Sequence, residues 1–419
     1  MVKRVLIDKM KSQLDSGIFN LLKDIGVSAQ SFGYRSFLAG GMVRDLMLNR
    51  PLTDVDVVIE GDAPKLARHI AEKFGGSVTA ESQFNTAKLS LFSTTVDFAT
   101  TRNETYRNPG ELPQIEMADL SEDLHRRDFS INAMAIALDS DTFGELIDPL
   151  GGEYDIVKKK IRILHLDSFQ DDPTRIIRAV RYEQRLKFEL ECVTKESLIA
   201  HCKYLHSVSP DRLRNEFQKI FEEFQPEDIL TRATGLGILD VILPGWSWPQ
   251  NDYHDINASF RFNKASNSKL LISLLTASLN PGEREILIGK LNMPASWKKV
   301  VRSTNEFENQ KLKLKQSSLL PSEIYAILNR FEQPALEGWF TIEKEPKIRE
   351  RIRYFIDILL YKTPKLTGDD LIGLGVAPGP KIGLLLRRLH KLVLDEPEGK
   401  TTIEEDVIRD FLNRDTERN

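Results

Sequence analysis

The sequence predicts an α/β head with a mixed sheet, followed by an all-helical remainder. Three observations carry that expectation. In the first ~165 residues, short apolar and β-branched runs alternate with helical segments. From about Ser168 onward the apolar positions take helical spacing, broken by proline and glycine. The chain has 419 residues, more than one ordinary domain needs.

The strand-like runs are SFLAGG, DVDVVIE, AKLSLF, TTVDFAT and INAMAIAL. Between them APKLARHIAEKFGG has helical spacing and stops at Gly75-Gly76, where a glycine ends a helix readily. Beyond Ser168, PTRIIRAVRYEQRLKF, PDRLRNEFQKIFEEF, SKLLISLLTASL and PSEIYAILNRFE read as helices. The stretch from Asp97 to Arg126 is polar and bears proline and glycine, so a surface loop is expected there.

Composition narrows the class. Hydrophobic residues make up 41% and charged residues 29%, as in a soluble globular protein. No apolar run reaches the ~18 residues of a membrane span, so no membrane partner is expected. The first residues, MVKRVLIDKMKSQLDSG, carry charge where an export signal needs an apolar core. Cys192 and Cys202 are the two cysteines and do not cluster, which points to a reduced, cytoplasmic setting. The net charge of −4 argues against coating nucleic acid by bulk charge. Any RNA contact must come from patterned charge such as Arg175, Arg178, Arg181 and Arg185.

The segment FLAGGMVRDLMLNRPLTDVDVVIEGDA carries the strongest chemical signal. Asp54 and Asp56 are two apart in a strand-like run, so their side chains share one face. Two carboxylates on one face suit two Mg²⁺ ions, which take carboxylate and phosphate oxygens together. Gly40 and Gly41 allow close approach of the backbone to a triphosphate. Arg44 either reaches a phosphate or pairs with a carboxylate. Alone, a D-x-D or a glycine pair is an ordinary structural feature; the ordered combination is not.

In HRRDFSINAMAI, Arg126 and Arg127 suit phosphate oxygens, while Asp128 and Asn132 suit sugar hydroxyls. In IDPLGGEYDIVKKKIR, a Gly151-Gly152 turn is expected, with Asp155 capping a helix. In QDDPTRIIRAVRY, Asp172 and Arg175 are three apart, which places them on one face of a helix, with Arg178 on the next turn. An aspartate accepts from an exocyclic amino group, and an arginine donates to a neighbouring ring nitrogen or carbonyl. Cytosine and adenine fit that pair. Uracil and guanine present a carbonyl instead, a mismatch costing a few kcal/mol once desolvated. The alternative is a surface ion pair worth a few tenths of a kcal/mol.

Together these segments resemble the nucleotidyltransferase head of the DNA polymerase β superfamily and, more closely, class II tRNA nucleotidyltransferases (CCA-adding enzymes) and bacterial poly(A) polymerases. The resemblance runs from about Phe37 to Phe221 and returns in the tail. It implies a polymerase-β-like head at 1–166, a neck with the base-reading helix at 167–228, a helical body at 229–320 and an RNA-binding tail at 321–419. It implies transfer of nucleotides from CTP and ATP to the tRNA 3′ end without a template. It places a third carboxylate at Asp97, against the alternative of an ordinary strand aspartate. The base-reading pair matches Asp172 and Arg175, with Asp171 standing where the family has Glu. Arg212 and Glu216, in SPDRLRNEFQKIF, read as neck-stabilising. Arg181, with Lys381 and Arg387 beside a glycine-rich turn near the end, is expected to touch RNA; for the turn itself, plain packing is the alternative. The polar stretch after Asp97 corresponds to the loop with which the family moves from CTP to ATP. Enzymes adding only the terminal A, with a separate CC-adding partner, share these motifs. His254-Asp255 lacks the partner histidines of a fused phosphohydrolase, and a purely RNA-binding module needs neither the carboxylates nor the base-reading pair.

Overall fold

The computed structural model describes residues 4–52, 55–82, 84–91, 94–249, 264–396, 404 and 406–409. Asp54 and His254-Asp255 therefore lie outside the described residues. The chain divides into two compact units, Met1–Pro244 and Gly245–Asn419.

The first unit is built on a seven-stranded mixed sheet. In chain order its strands are β1 (Arg35–Ala39), β2 (Val55–Glu60), β3 (Ser77–Ser82), β4 (Thr86–Leu91), β5 (Thr94–Thr100), β8 (Ala135–Ala137) and β9 (Leu146–Ile147). They are arranged β3-β4-β5-β2-β1-β8-β9, and the one parallel pair is β2 with β5. The central strands are apolar because both faces are covered. Phe37, Leu38, Val57 and Ile59 are fully buried, and Leu38 sits between Val57 on one side and Ile136 on the other. The run INAMAIAL is shorter as a strand than its apolar length suggests. Ser130–Asn132 forms a 3₁₀ turn and only Ala135–Ala137 joins the sheet.

Six helices accompany this sheet: α1 (Ile7–Gln13), α2 (Ser16–Ser31), α3 (Gly41–Met47), α4 (Ala63–Phe74), α5 (Leu120–His125) and α6 (Gly152–Lys158). In α4 the stop at Gly75 is the one the sequence announces, and the structure adds an aspartate cap at the start. Asp62 accepts from the Lys65 amide at 2.9 Å, and Gly75 ends the helix at φ 76°. At α6 the sequence expectation is corrected. Asp148, not Asp155, satisfies the exposed amides, accepting from Gly152 N at 2.7 Å and Glu153 N at 2.9 Å. Asp155 is buried and binds Ser130 Oγ and Arg162 Nε.

The expected loop after Asp97 is also corrected. Residues β6 (Arg102–Thr105) and β7 (Gln114–Met117) pair as an antiparallel hairpin. Its strands are four residues each and mostly polar, too short and too hydrophilic to show alternation in the sequence.

The helices that follow are α7 (Ser168–Asp171), α8 (Thr174–Leu186), α9 (Cys192–His201), α10 (Pro210–Phe221), α11 (Pro226–Gly235) and α12 (Ile238–Ile242). Helix α8 buries Ile176, Ile177, Ala179, Val180 and Leu186, and α10 and α11 pack on it. Each of these isoleucine, valine and leucine side chains contributes about 1.5–3 kcal/mol of burial. Glu183 on α8 is also buried, and Arg232 of α11 satisfies it with two bonds at 2.8 and 3.0 Å.

The described part of the second unit is helical, from Lys264–Thr276 to Pro380–Asp395. Proline stands in the first turn of Pro281–Lys290, Pro321–Leu328, Gln333–Ile342, Pro346–Asp357 and Pro380–Asp395, where its missing N–H costs nothing. Phe307 stacks on Trp339 with centroids 4.2 Å apart. Near the end, Leu371, Val376, Leu385, Leu389 and Ile408 form a small core across the turn between Gly368–Gly373 and Pro380–Asp395. No helix among the described residues is long and apolar enough to cross a membrane.

Candidate functional site

A cleft of about 570 Å³ opens in the first unit. Six stretches of chain line it: Gly40, Gly41 and Arg44; Asp56; Glu104 and Tyr106; Arg126, Arg127, Asp128 and Asn132; Asp172, Thr174, Arg175, Arg178 and Tyr182; Arg212, Asn215, Glu216 and Lys219. Seven cationic side chains face five carboxylates there, so the cleft as a whole favours an anion.

The turn from β1 into α3 supplies one wall. Gly40 takes φ 74°, and a Cβ at that position would stand 2.6 Å from Arg127 Nη1. The backbone conformation and the close guanidinium both call for glycine. Of the two roles open to Arg44, the structure shows the carboxylate pairing. It is buried, grips Asp45 with two bonds at 2.9 and 2.7 Å, and donates to Asn132 Oδ1 at 2.6 Å.

Asp56 lines the cleft from β2, half-buried. Asp97 lies opposite it in the parallel pairing of β2 with β5, so the two carboxylates share one face of the sheet. Asp97 does not line the cleft; it is half-exposed and 3.3 Å from Lys88 Nζ. No group of three or more metal-type side chains gathers among the described residues. The donor chemistry nonetheless fits a hard cation. Asp56 offers oxygen to a space ringed by phosphate-type cations, with Asp97 one strand away.

Asp128 and Asn132 are held rigidly. Asn132 Nδ2 donates to Asp128 Oδ1 at 2.9 Å, and Arg178 Nε donates to Oδ2 at 2.9 Å. Burial alone would raise the Asp128 carboxyl, but the Arg178 guanidinium and the Asn132 amide hold it down at about 2. Arg126 and Arg127 share Asp123, whose side chain is fully buried. Burial would raise it, and the two guanidiniums outweigh that and lower it. Arg126 also reaches Glu104 of the hairpin at 2.8 Å.

Asp172 and Arg175 both line the cleft, but not as one helix face. Asp172 is extended, at φ −129° and ψ 94°, in the junction between α7 and α8. Pro173 explains this, because a residue before proline is driven out of the helical region. Arg175 is buried and donates to Ser168 Oγ at 2.7 Å and to the Arg126 carbonyl at 2.6 Å.

Several lining residues escaped the sequence reading. Tyr106 comes from the hairpin read as a loop, and its hydroxyl donates to Glu104 Oε2 at 2.8 Å. Arg212, read as neck-stabilising, donates to Asp172 Oδ1 at 2.6 Å. Tyr182 meets Phe129 edge to face and has Arg44, Arg178 and Arg181 around its ring. The signal for Arg212 was its position two residues inside a proline-started helix, which alone cannot say what it faces. Arg181, expected at RNA, is buried against Glu216 and Glu223. Lys381 and Arg387 are exposed on the helix Pro380–Asp395 of the second unit.

Comparison with known proteins agrees with the fold. Residues 36–162 match the poly A polymerase head domain, and residues 187–248 match the "probable RNA and SrmB-binding site of polymerase A". The chain is 31% identical to an A-adding tRNA nucleotidyltransferase of Halalkalibacterium halodurans, over 92% of this chain and 91% of that protein. It is 32% identical to an A-adding tRNA nucleotidyltransferase of Aquifex aeolicus over 86% of this chain and 45% of that protein, and so spans about half of that relative's length. The Thermotoga maritima CCA-adding enzyme complexed with tRNA superposes with a TM-score of 0.78 at 26% identity, covering 99% of each chain.

Proposed function

This chain belongs to the family of tRNA nucleotidyltransferases and poly(A) polymerases, and we propose that it adds CCA to the 3′ end of tRNA from CTP and ATP without a template. One observation carries the reading. The Gly40-Gly41 turn, Asp56, the Arg126–Asn132 segment and the Asp172–Arg175 pair, far apart in sequence, line a single cleft.

The reaction is attack of the RNA 3′-hydroxyl on the nucleotide α-phosphate, with release of pyrophosphate. Asp54 and Asp56 would hold two Mg²⁺ ions, with Asp97 a third carboxylate on the neighbouring strand. When bound, these ions supply positive charge at the attacking and leaving oxygens. The chain's own groups do the rest. Arg127 and the Gly40-Gly41 backbone receive the phosphates, while Asp128, kept ionised by Arg178, accepts from a sugar hydroxyl. Asp172 and Arg175 choose the base. Lys381 and Arg387, both exposed on the helix Pro380–Asp395, are assigned to RNA, whereas Arg181 is taken up by Glu216 and Glu223.

Addition of the terminal A alone, after a separate CC-adding enzyme, is favoured by the names of the two relatives above. Three tRNA transcripts, ending before CCA, after C and after CC, decide between them. Completion of the shortest to CCA with CTP and ATP is the expected result. Labelling of the CC-ended transcript alone, by ATP alone, would make the chain an A-adding enzyme. No labelling of any transcript would refute the reaction.

A further inference from the structure

We propose that Arg212 is a positioning residue for base choice: it locks the Asp172 carboxylate in the orientation that meets an exocyclic amino group. The proposal rests on the reaction argued above and deepens it.

Arg212 stands on α10, a helix that contributes nothing to the base-reading segment in sequence. Its Nη2 donates to Asp172 Oδ1 at 2.6 Å, and its Nη1 donates to the Gly110 carbonyl at 2.9 Å. With both terminal nitrogens engaged, the planar guanidinium cannot turn without breaking a bond. Gly110 is itself fixed. It takes φ 78°, and a Cβ there would stand within 2.5 Å of Ser207 Oγ.

Asp172 Oδ1 receives two further bonds, from Thr174 N at 3.1 Å and from Thr174 Oγ1 at 2.7 Å. Three donors therefore converge on one oxygen. No donor among the described residues is bonded to Oδ2, the other oxygen of a side chain that lines the cleft. The carboxylate is pinned at one end and presents the other.

Pinning matters more for the wrong base than for the right one. An amino group of cytosine or adenine finds its acceptor whether or not the carboxylate can rotate. A carbonyl of uracil or guanine meets acceptor against acceptor, and a mobile carboxylate would swing away from it. A fixed one cannot, so the repulsion is kept as selectivity. Arg212 acts through Asp172, and its loss should be read in the ratio of wrong to right nucleotide.

The test uses the full-length chain with Arg212→Met, Arg212→Lys and Thr174→Val. For each, kcat and KM are measured with CTP, ATP, UTP and GTP on the three tRNA transcripts. The expected result is a rise of ~10-fold or more in UTP relative to CTP incorporation for Arg212→Met, the scale of one lost charged hydrogen bond. Thr174→Val should move the ratio the same way by less. Arg212→Lys, which restores one donor, should recover part of the selectivity. An equal drop for all four nucleotides, with the ratio unmoved, would overturn the proposal. If Arg212→Met does not fold, Thr174→Val decides, since an unmoved ratio there also overturns it. A wild-type chain that incorporates CTP or ATP while the variants keep its ratio overturns the Arg212 assignment alone. A wild-type chain that incorporates nothing overturns the reaction and this assignment with it.

Discussion

Arg178 clamps Asp128 across the cleft, donating through Nε at 2.9 Å and through Nη2 to the same oxygen. The carboxyl is held at about 2, below its ordinary 3.8. A depressed carboxyl stabilises the fold above its unfolded value and loses that contribution as pH falls through the folded one. The contribution is about 2 kcal/mol, present above pH ~4 and fading toward pH ~2. Asp128→Asn also leaves Arg178 without its carboxylate. The urea midpoint of this variant should fall well below that of the wild type at pH 7, and the gap should narrow toward pH 3. A gap independent of pH would show that the ion pair is not what Asp128 contributes.

Asp56→Ala and Asp54→Ala should abolish incorporation without unfolding the protein. The ladder of β2 is made by backbone groups, and Val57, Val58 and Ile59 keep its core contacts. A loss of about a thousandfold or more is expected, the scale of several kcal/mol of transition-state charge stabilisation. Asp97→Ala should also lose activity, and the mere loss of its half-exposed pair with Lys88 would cost under about 1 kcal/mol of stability. Near-normal rates for Asp54→Ala and Asp56→Ala would remove the carboxylate site from the reaction.

Gly40→Ala tests the wall of the cleft. The new methyl would displace the Arg127 guanidinium and strain a backbone at φ 74°. The strain costs about 1 kcal/mol in stability, so the protein should still fold. Nucleotide KM should rise by ~10-fold, the effect of losing one charged phosphate contact. A KM unchanged in the presence of a lowered melting temperature would mean that Arg127 does not hold the triphosphate.

Arg175→Ala should relax base choice more than it weakens tRNA binding. The guanidinium is buried between Ser168 Oγ and the Arg126 carbonyl, so its removal also costs stability. Incorporation from UTP and GTP beside CTP and ATP, together with tRNA affinity by filter binding, separates the two effects. Full exclusion of UTP and GTP by the variant would refute the base-reading role.

What the sequence made legible was whatever is local. The Gly40-Gly41 turn, the strand that carries Asp56 and the Gly75 helix stop are each written within a few residues, and each is found. Asp172 was placed on a helix because its spacing from Arg175 suits one, yet Pro173 already forbade it. Arg212 and Tyr106 were out of reach for a different reason. Their place in the cleft depends on how α10 and the hairpin pack, and no spacing in the chain encodes a contact between Arg212 and Asp172. Asp123 was missed likewise: only burial shows that it neutralises Arg126 and Arg127 together.

The hairpin β6–β7 gives the last prediction. Glu104 is its anchor, for its Oε1 accepts from Arg102 and Arg126 and its Oε2 from Tyr106. Arg126 in turn offers its carbonyl to Arg175. A change in the hairpin therefore reaches Arg175 through one residue. Removing part of 103–120 breaks this chain of bonds but leaves Asp56 and the Gly40 turn in place. Addition of A to a CC-ended transcript should fall more than addition of C to the shorter ones, by ~10-fold or more on the scale of one or two charged hydrogen bonds. Glu104→Gln, which keeps the shape but weakens the bonds to both arginines, should do the same to a smaller degree. Single-turnover rates with each nucleotide on each transcript measure this directly, and an equal loss for A and C would mean that the hairpin serves the cleft as a whole and not the choice between the two bases.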